Sequence, residues 1–352
     1  MRILSLLVTG CVALGFMLPV AGQPQKGTLV TDSFTSVVLR ENKLALGLNR
    51  KVKIYLPPGY TASGKAYPVV YYCHSIFGNP GSIFGAATDQ VDRAVAAGVT
   101  RAFILVVADY SSPTSGSMYE NSPVSGKWLD FTVQELVPFV DRKYRTIRHQ
   151  NSRAITGDFM GGRGALKLAM TYPDVFSVVY ALHPVATGVG TRPWTELGVN
   201  WTKINKATTY AELAGDTPSQ IFVSICQAFL PNPSRPPFYC DFFMEPDSSG
   251  GVKVNTPHMI HVQHDFMLEG QLAESAGNLK KLRAIAFDWA RYDGNFDHVY
   301  ANRAFTRDLE DLGIEHEAEE YRGRPWNKTW NDDGRFYTRV LPFLNRNLVF
   351  EQ

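Results

Sequence analysis

Gly157-Asp158-Phe159-Met160-Gly161 has the spacing of G-x-S-x-G, with phenylalanine at the position where that motif carries its nucleophile. In the motif, two glycines let a strand turn sharply into a helix. The central side chain then stands above the sheet, and the following N–H points at a developing oxyanion. Acyl transfer at such a turn needs a hydroxyl, an imidazole to take its proton and a carboxylate to orient the imidazole. Phenylalanine fills none of these roles. Asp158 is the nearest reactive group. It is either an alternative nucleophile or acid, since carboxylates form covalent intermediates in some enzymes, or the residue before the tip, turned away to bond neighbouring backbone. The turn is strained, and with a phenyl at its tip nothing functional offsets the strain, so the sequence predicts that it relaxes.

Other reactive residues are scattered. His258, His261 and His264 form an H-x-x-H-x-x-H run followed by Asp265; spacing of three on a helix brings two imidazoles toward one ion, but a catalytic zinc needs a third convergent ligand. No metal and no cofactor is expected on this pattern, and a histidine facing a pocket is the stronger reading of the run. His183 ends an apolar stretch, where it would line a cleft. His298 neighbours Asp297, but adjacent residues at a helix start diverge. Ser75, Ser82 and Ser117 read as loop serines. Trp194, Trp201, Phe238, Tyr239, Phe242 and Phe243 read equally as a stacking surface for a sugar or aryl ring and as the core of a lid.

These residues need elements to position them. A strand is expected around Ser36–Arg40, and Lys51–Leu56 alternates before stopping at Pro57-Pro58-Gly59. Pro68–Cys73 and Phe103–Ala108 are short apolar runs of the kind buried on both faces of a parallel sheet, with helical spacing over Thr88–Ala97 between them. Trp128–Tyr144 reads as a helix despite Pro138. Arg153–Thr156 enters the sharp turn, Gly161–Tyr172 leaves it as a helix, and Val178–Leu182 is the next strand. Strands follow at Gln220–Ile225, Leu282–Phe287 and Ala318–Tyr321, with helices at Ala273–Lys281, Val299–Leu312 and Arg335–Asn345. This alternation is that of an α/β, mostly parallel, doubly wound sheet. Between about residues 184 and 270 it breaks into a lid-like insertion, which in such folds covers the carboxyl edge where ligands bind.

The 352 residues, 45% hydrophobic and 19% charged, suffice for a large core, and residues 23–352 are expected to form one domain. A net charge of +2, not concentrated in any run, points away from nucleic acid. Residues 1–22 read as a signal peptide: Arg2, an apolar stretch from Ile3 to Val20, then Ala21-Gly22. The mature protein is thus expected to be secreted or periplasmic, without a membrane span. Cys73, Cys226 and Cys240 remain after cleavage; Cys73 reads as buried, and Cys226 and Cys240 bracket a proline-rich loop across which a disulfide would fit.

Taken together, ITGDFMGGRGALKLAMTYPDVF (155–176), YPVVYYCHSIFG (67–78), the Tyr292–Asp297 segment ahead of a helix ending in Gly313-Ile314, and the Tyr321–Trp326 turn resemble the esterase branch of the α/β-hydrolase superfamily. That branch contains S-formylglutathione hydrolase (esterase D), feruloyl and acetyl-xylan esterases and the mycolyltransferases. The resemblance implies an α/β-hydrolase fold. It places the nucleophile at Phe159, the acid at Asp297 and the histidine at Pro325, so two of three catalytic positions are substituted. It puts the oxyanion donors on the N–H groups of Ile76 and Met160, and His74, His183, Arg163, Arg324 and Trp326 around the pocket. The function expected is therefore a secreted esterase-family protein that binds a small ester or oligosaccharide without acyl-enzyme chemistry. The alternatives are non-serine chemistry through Asp158, Asp297 or a lid histidine, and a conventional carboxylesterase whose triad lies elsewhere.

Overall fold

The computed structural model describes residues 26–326, 329–331 and 333–350; the expected signal peptide over residues 1–22 lies outside them. Eight strands form one sheet: β1 (Thr28–Thr35), β2 (Asn49–Leu56), β3 (Val69–Cys73), β4 (Ile104–Ala108), β5 (Arg153–Asp158), β6 (Val178–Leu182), β7 (Ala284–Ala290) and β8 (Glu317–Tyr321). Their order is β1-β2-β4-β3-β5-β6-β7-β8. β2 runs antiparallel to β1 and β4, and the remaining pairs are parallel. This is the order of the α/β-hydrolase fold.

Strand composition explains the two-sided burial. Along β3, Val69, Tyr71 and Cys73 enter the core on one face and Val70 and Tyr72 the core on the other. β4 divides the same way, with Ile104, Val106 and Ala108 opposite Leu105 and Val107. Side chains alternate with a period of two, so a run without polar residues is stable only when both faces are covered. One face is covered by α1 (Gly81–Ala96) and the C-terminal helix; the other packs on α2 (Met160–Thr171), on the helix beginning at Trp128 and on the insertion.

Three expectations change. The first strand lies at Thr28–Thr35 and not Ser36–Arg40; Ser36 is instead a turn residue whose hydroxyl donates to Glu135. Gln220–Ile225 is not a strand but the middle of helix Thr217–Phe229, because Asp216 caps its N-terminus by accepting the Ser219 N–H and Pro218 sits in the first turn. Those start signals outweigh the β-branched run. Third, Cys226 and Cys240 are separate buried thiols, as is Cys73.

Pro138 is accommodated by a change of helix type. Phe131–Leu136 is a π turn, and the Val137 N–H reaches back five residues to the Thr132 carbonyl. The same device precedes Pro342, where Phe336–Val340 is a π turn and the Leu341 N–H bonds Phe336. Proline lacks an N–H and crowds the carbonyl four residues back, and the wider turn relieves that crowding.

The insertion after β6 packs its own aromatics. Trp201 lies 4.6 Å from Phe243, and Trp194 lies 5.5 Å from Phe243, centroid to centroid. Trp194, Trp201, Phe238, Phe242 and Phe243 are all buried in the core that also backs the sheet. Five of the six aromatics therefore form a lid core, Tyr239 being only partly buried, and Trp194 of that core also lines the cavity described below.

Candidate functional site: an aromatic stack on a catalytic turn

The sharp turn did not relax. Phe159 holds φ 51° and ψ −115° between β5 and α2. Side chains at Gly157 or Gly161 would run into the Cys73 carbonyl, so both positions must be glycine for β3 and the turn to approach this closely. Phe159 is fixed on both sides of its peptide: its N–H donates to the Leu182 carbonyl at 3.0 Å, and its carbonyl accepts from Arg163 N–H at 2.9 Å. A non-glycine residue in such a conformation costs about 1–3 kcal/mol.

Packing of the ring helps to offset that strain. The phenyl stacks on Trp326 with centroids 4.1 Å apart and planes 10° from parallel, and it lies 4.8 Å from the His183 ring. Such a stack contributes about 0.5–1.5 kcal/mol beyond burial. The residue that meets the nucleophile position is thus Trp326 and not Pro325. Pro325 is buried, and its carbonyl accepts from the Tyr321 hydroxyl at 3.3 Å.

Above the turn lies a cavity of about 500 Å³. Phe159, Met160, Ser75 and Ile76 are in its wall, and the insertion supplies the apolar remainder, including Trp194, Ile221 and Phe266. Met160 opens α2, and a helix has no internal partner for its first N–H groups. Ile76 and Met160, the residues expected from sequence to carry the oxyanion donors, both line this one space. One end of the cavity is polar, lined by Arg192, Asn295, Asp297 and His298. A larger open hollow of about 820 Å³ lies beside α1, away from the turn, against Trp330 and Tyr337.

Asp158 does not face the cavity. It is buried on the opposite side of the turn, where it accepts a 2.8 Å hydrogen bond from Tyr72 OH; burial pushes its carboxyl up to about 6. It is the ordinary residue before the tip and not a nucleophile. His74 also lies behind the wall: its Nε2 accepts from Tyr110 N–H at 3.0 Å and its Nδ1 donates to the Ser75 carbonyl at 2.9 Å. Burial lowers its pKa, and the neutral ring holds the loop that carries Ile76. Arg163 has no exposure; Nε donates to the Phe266 carbonyl, and the other nitrogens to those of Met118 and Asp265. It clamps the insertion to α2 and does not touch the cavity. Arg324 is exposed outside the described cavity wall, so of the five expected pocket residues only Trp326 lines it.

Asp297 lines the cavity, but its carboxylate is engaged by the insertion: Oδ1 accepts from Thr191 and Arg192 N–H, and Oδ2 from Arg192 Nε at 2.7 Å. Burial opposes ionisation there, yet these donors keep its pKa below the usual carboxylate value. The carboxylate that faces imidazoles is Asp293. Its Oδ2 accepts from His183 Nε2 at 2.7 Å and from His298 Nδ1 at 2.8 Å, and its Oδ1 accepts from Asn295 N–H at 2.9 Å. Burial works to raise its pKa, but the two histidine bonds outweigh that and hold it well below the ordinary value.

The three groups lie within 4.8 Å of one another, which is metal-site spacing. The tautomers argue against an ion. His183 Nδ1 accepts from the Ala290 N–H at 2.9 Å, so the neutral ring carries its proton on Nε2. A metal would need the lone pair at that same Nε2, leaving Nδ1–H to face another N–H. The donor set therefore does not fit a metal held by His183, and the cluster is a hydrogen-bonded His-Asp-His array. The histidine run of the insertion does not converge either: His258 Nδ1 bonds the Phe242 carbonyl, while His261 and His264 sit half-exposed beside Asp265.

Asp293 and its two partners were not assembled from sequence. His183 and Asp293 are 110 residues apart, and His298 belongs to the first turn of α3 (Phe296–Asp311), whose cap is Asn295. The one local signal was Asp293, Asn295 and His298 set around a helix start.

Residues 44–228 match the "Putative esterase" family. An esterase of Mycobacterium tuberculosis is 32% identical over 147 residues, which is 38% of this chain and 28% of that protein. A protein of Xylanibacter ruminicola described as an endo-1,4-beta-xylanase/feruloyl esterase is 28% identical over 141 residues, 37% of this chain and 19% of that one. The chain thus spans less than a third of the length of these curated relatives. Among solved structures, a ferulic acid esterase superposes with a TM-score of 0.61 at 18% identity, covering 92% of this chain and 100% of that one. An S-formylglutathione hydrolase from Agrobacterium tumefaciens gives 0.54 at 12% identity, with 92% and 96% covered. With its strand order, its glycine-framed turn and more than half its length matched, this chain belongs to that esterase family.

Proposed function

We propose that this protein uses the cavity over the turn to bind an ester or glycoside bearing an aryl or other flat apolar group, and that it forms no acyl-enzyme. The observation that carries this reading is the Phe159–Trp326 stack at 4.1 Å, which fills the place where a nucleophile and its base would meet. A cavity of about 500 Å³ that is apolar except at one end suits a small ligand with a flat body and a polar head. A structural neighbour described as a ferulic acid esterase is consistent with that class. We also propose that the chain is exported, on the strength of the leader-like residues 1–22; N-terminal sequencing of the mature protein beginning near Gln23 would bear this out, and an intact Met1 would refute it.

The test is thermal shift and calorimetry with aryl esters, alkyl esters, acylated oligosaccharides and unmodified glycans, with intact-mass spectrometry on the same samples. The expected outcome is stabilisation by the aryl class, weakened at least tenfold in Trp326→Ala, with no acyl adduct on the protein. A covalent acyl adduct, or binding indifferent to Trp326→Ala, would overturn it.

A further inference from the structure

We propose that Asp293 and His298 form a general-base pair that lets water hydrolyse an ester bound in this cavity directly, in one displacement and without a nucleophilic side chain. The inference rests on the binding reading above and adds a reaction to it.

Four observations carry it. First, His298 Nδ1 donates to Asp293 at 2.8 Å, so the neutral ring keeps its lone pair on Nε2. Second, the contact at Nε2 agrees: Asn295 Nδ2 donates to it at 2.9 Å. The orientation of that amide is set independently, because its Oδ1 accepts from Arg192 at 2.5 Å and from the Asp297 N–H at 3.3 Å. Third, among the described residues lining the cavity, His298 is the imidazole, and Ile76 and Met160, the residues expected to supply oxyanion donors, line the same cavity. Fourth, His183 cannot compete: its lone pair on Nδ1 is held by the backbone N–H of Ala290, which cannot turn away, whereas the group on His298 Nε2 is the Asn295 side-chain amide. Its role is to hold Asp293 ionised and in place. A base oriented by a carboxylate is the half of a catalytic triad that does not depend on serine.

The step balances as follows. Asn295 swings aside and a water takes its place at His298 Nε2. As the water oxygen bonds to the carbonyl carbon, its proton passes to Nε2, and the carbonyl oxygen becomes an oxyanion facing the Ile76 and Met160 amides. Collapse of the tetrahedral adduct re-forms the carbonyl and breaks the bond to the leaving alcohol, which takes the proton back from Nε2. One ester and one water give one acid and one alcohol, and no bond to the protein is made. Among small substrates, the pair suits esters with stable leaving groups, such as aryl esters, whose breakdown makes the least demand on the acid.

The experiment uses the whole protein and 4-nitrophenyl benzoate, with binding followed by thermal shift using the non-hydrolysable amide analogue. The expected result is slow turnover above buffer, without a burst of nitrophenol. Turnover should fall about a hundredfold in His298→Ala, in line with the worth of a general base, and should be partly rescued by added imidazole. His298→Gln, which retains a donor for Asp293 but cannot accept the proton, should be as inactive as the alanine variant while still binding the amide. Turnover unaffected by either variant would overturn the proposal, as would a burst of one equivalent. Binding without any turnover would also end it while leaving the binding reading intact, whereas failure to bind at all would remove both.

Discussion

The floor of the cavity and its polar wall differ in what holds them. The floor, from Cys73 through Gly157–Gly161, keeps the geometry of a catalytic turn with a residue at its tip that does no such chemistry. The polar wall, from Asp293 to His298 with Trp326 opposite, has carboxylate and imidazole groups in contact but not where the sequence pattern puts them. The floor is set by backbone approaching backbone, which glycines permit and the tip residue does not control. The wall is set by which side chains find partners around a helix cap, and that set can be rearranged without disturbing the sheet. Shape and chemistry are therefore separable here, and each can be altered without the other.

The largest effect should come from the floor. Gly161→Ala puts a methyl group against the Cys73 carbonyl. Because backbone must move, it should cost about 4 kcal/mol or more or abolish folding, read by urea unfolding or soluble yield. A loss under about 1 kcal/mol would show that the turn is held by its tip and not by its glycines.

Next comes Asp158, whose folded pKa of about 6 lies above its unfolded value of 3.8. The folded state then binds more protons between those values, so stability falls as pH rises from about 4 to 6. Asp158→Asn keeps an acceptor for Tyr72 and removes the charge. It should stabilise the protein relative to wild type by on the order of 2–3 kcal/mol at pH 7, and the gain should vanish below pH 4. A difference independent of pH would mean that Asp158 is not held against ionisation.

Phe159→Ser should be smaller in stability, about 0.5–1.5 kcal/mol through the lost stack, and should produce no acyl-enzyme, because both nitrogens of the nearby His183 are engaged. The sharper variant is Phe159→Ser with Trp326→His, which supplies an imidazole where the stack now is; a burst of acylation from that pair, and none from the single change, would show how little separates this floor from a working one. The smallest effect is expected at His261→Ala, half-exposed on the insertion, within about 0.5 kcal/mol and without change in ligand binding.

Much of the sheet was legible in the sequence because its strands are short apolar runs whose alternate residues feed two cores. Val178–Leu182 was read to the residue, and the turn was recognised from its glycines alone. Gln220–Ile225 has the composition of a strand, and only the Asp216–Pro218 start signal marks it as helix. The site was legible only where backbone dictates it: Ile76, Met160 and the tip position fall in one cavity as expected. The contacts of Asp293 were not legible because partners far apart in sequence, such as His183 and Asp293, leave no local spacing to read. Asp297 fits the motif but binds Arg192, a partner supplied by an insertion that has no motif.

The Arg163 guanidinium has a consequence for traffic. It is fully enclosed, and burial lowers its pKa to about 10. Swinging the insertion away from α2 would break its charge-assisted bonds to the Phe266 and Asp265 carbonyls and part it from the Phe229 and Phe266 rings, at about 3 kcal/mol or more. Such an opening would be populated less than about one time in a hundred. The roof is therefore held in place, and the exposed part of the cavity lining is the rim where Phe77 and Trp326 stand. For the ligand proposed above, the doorway and not the ceiling would set how long a guest stays.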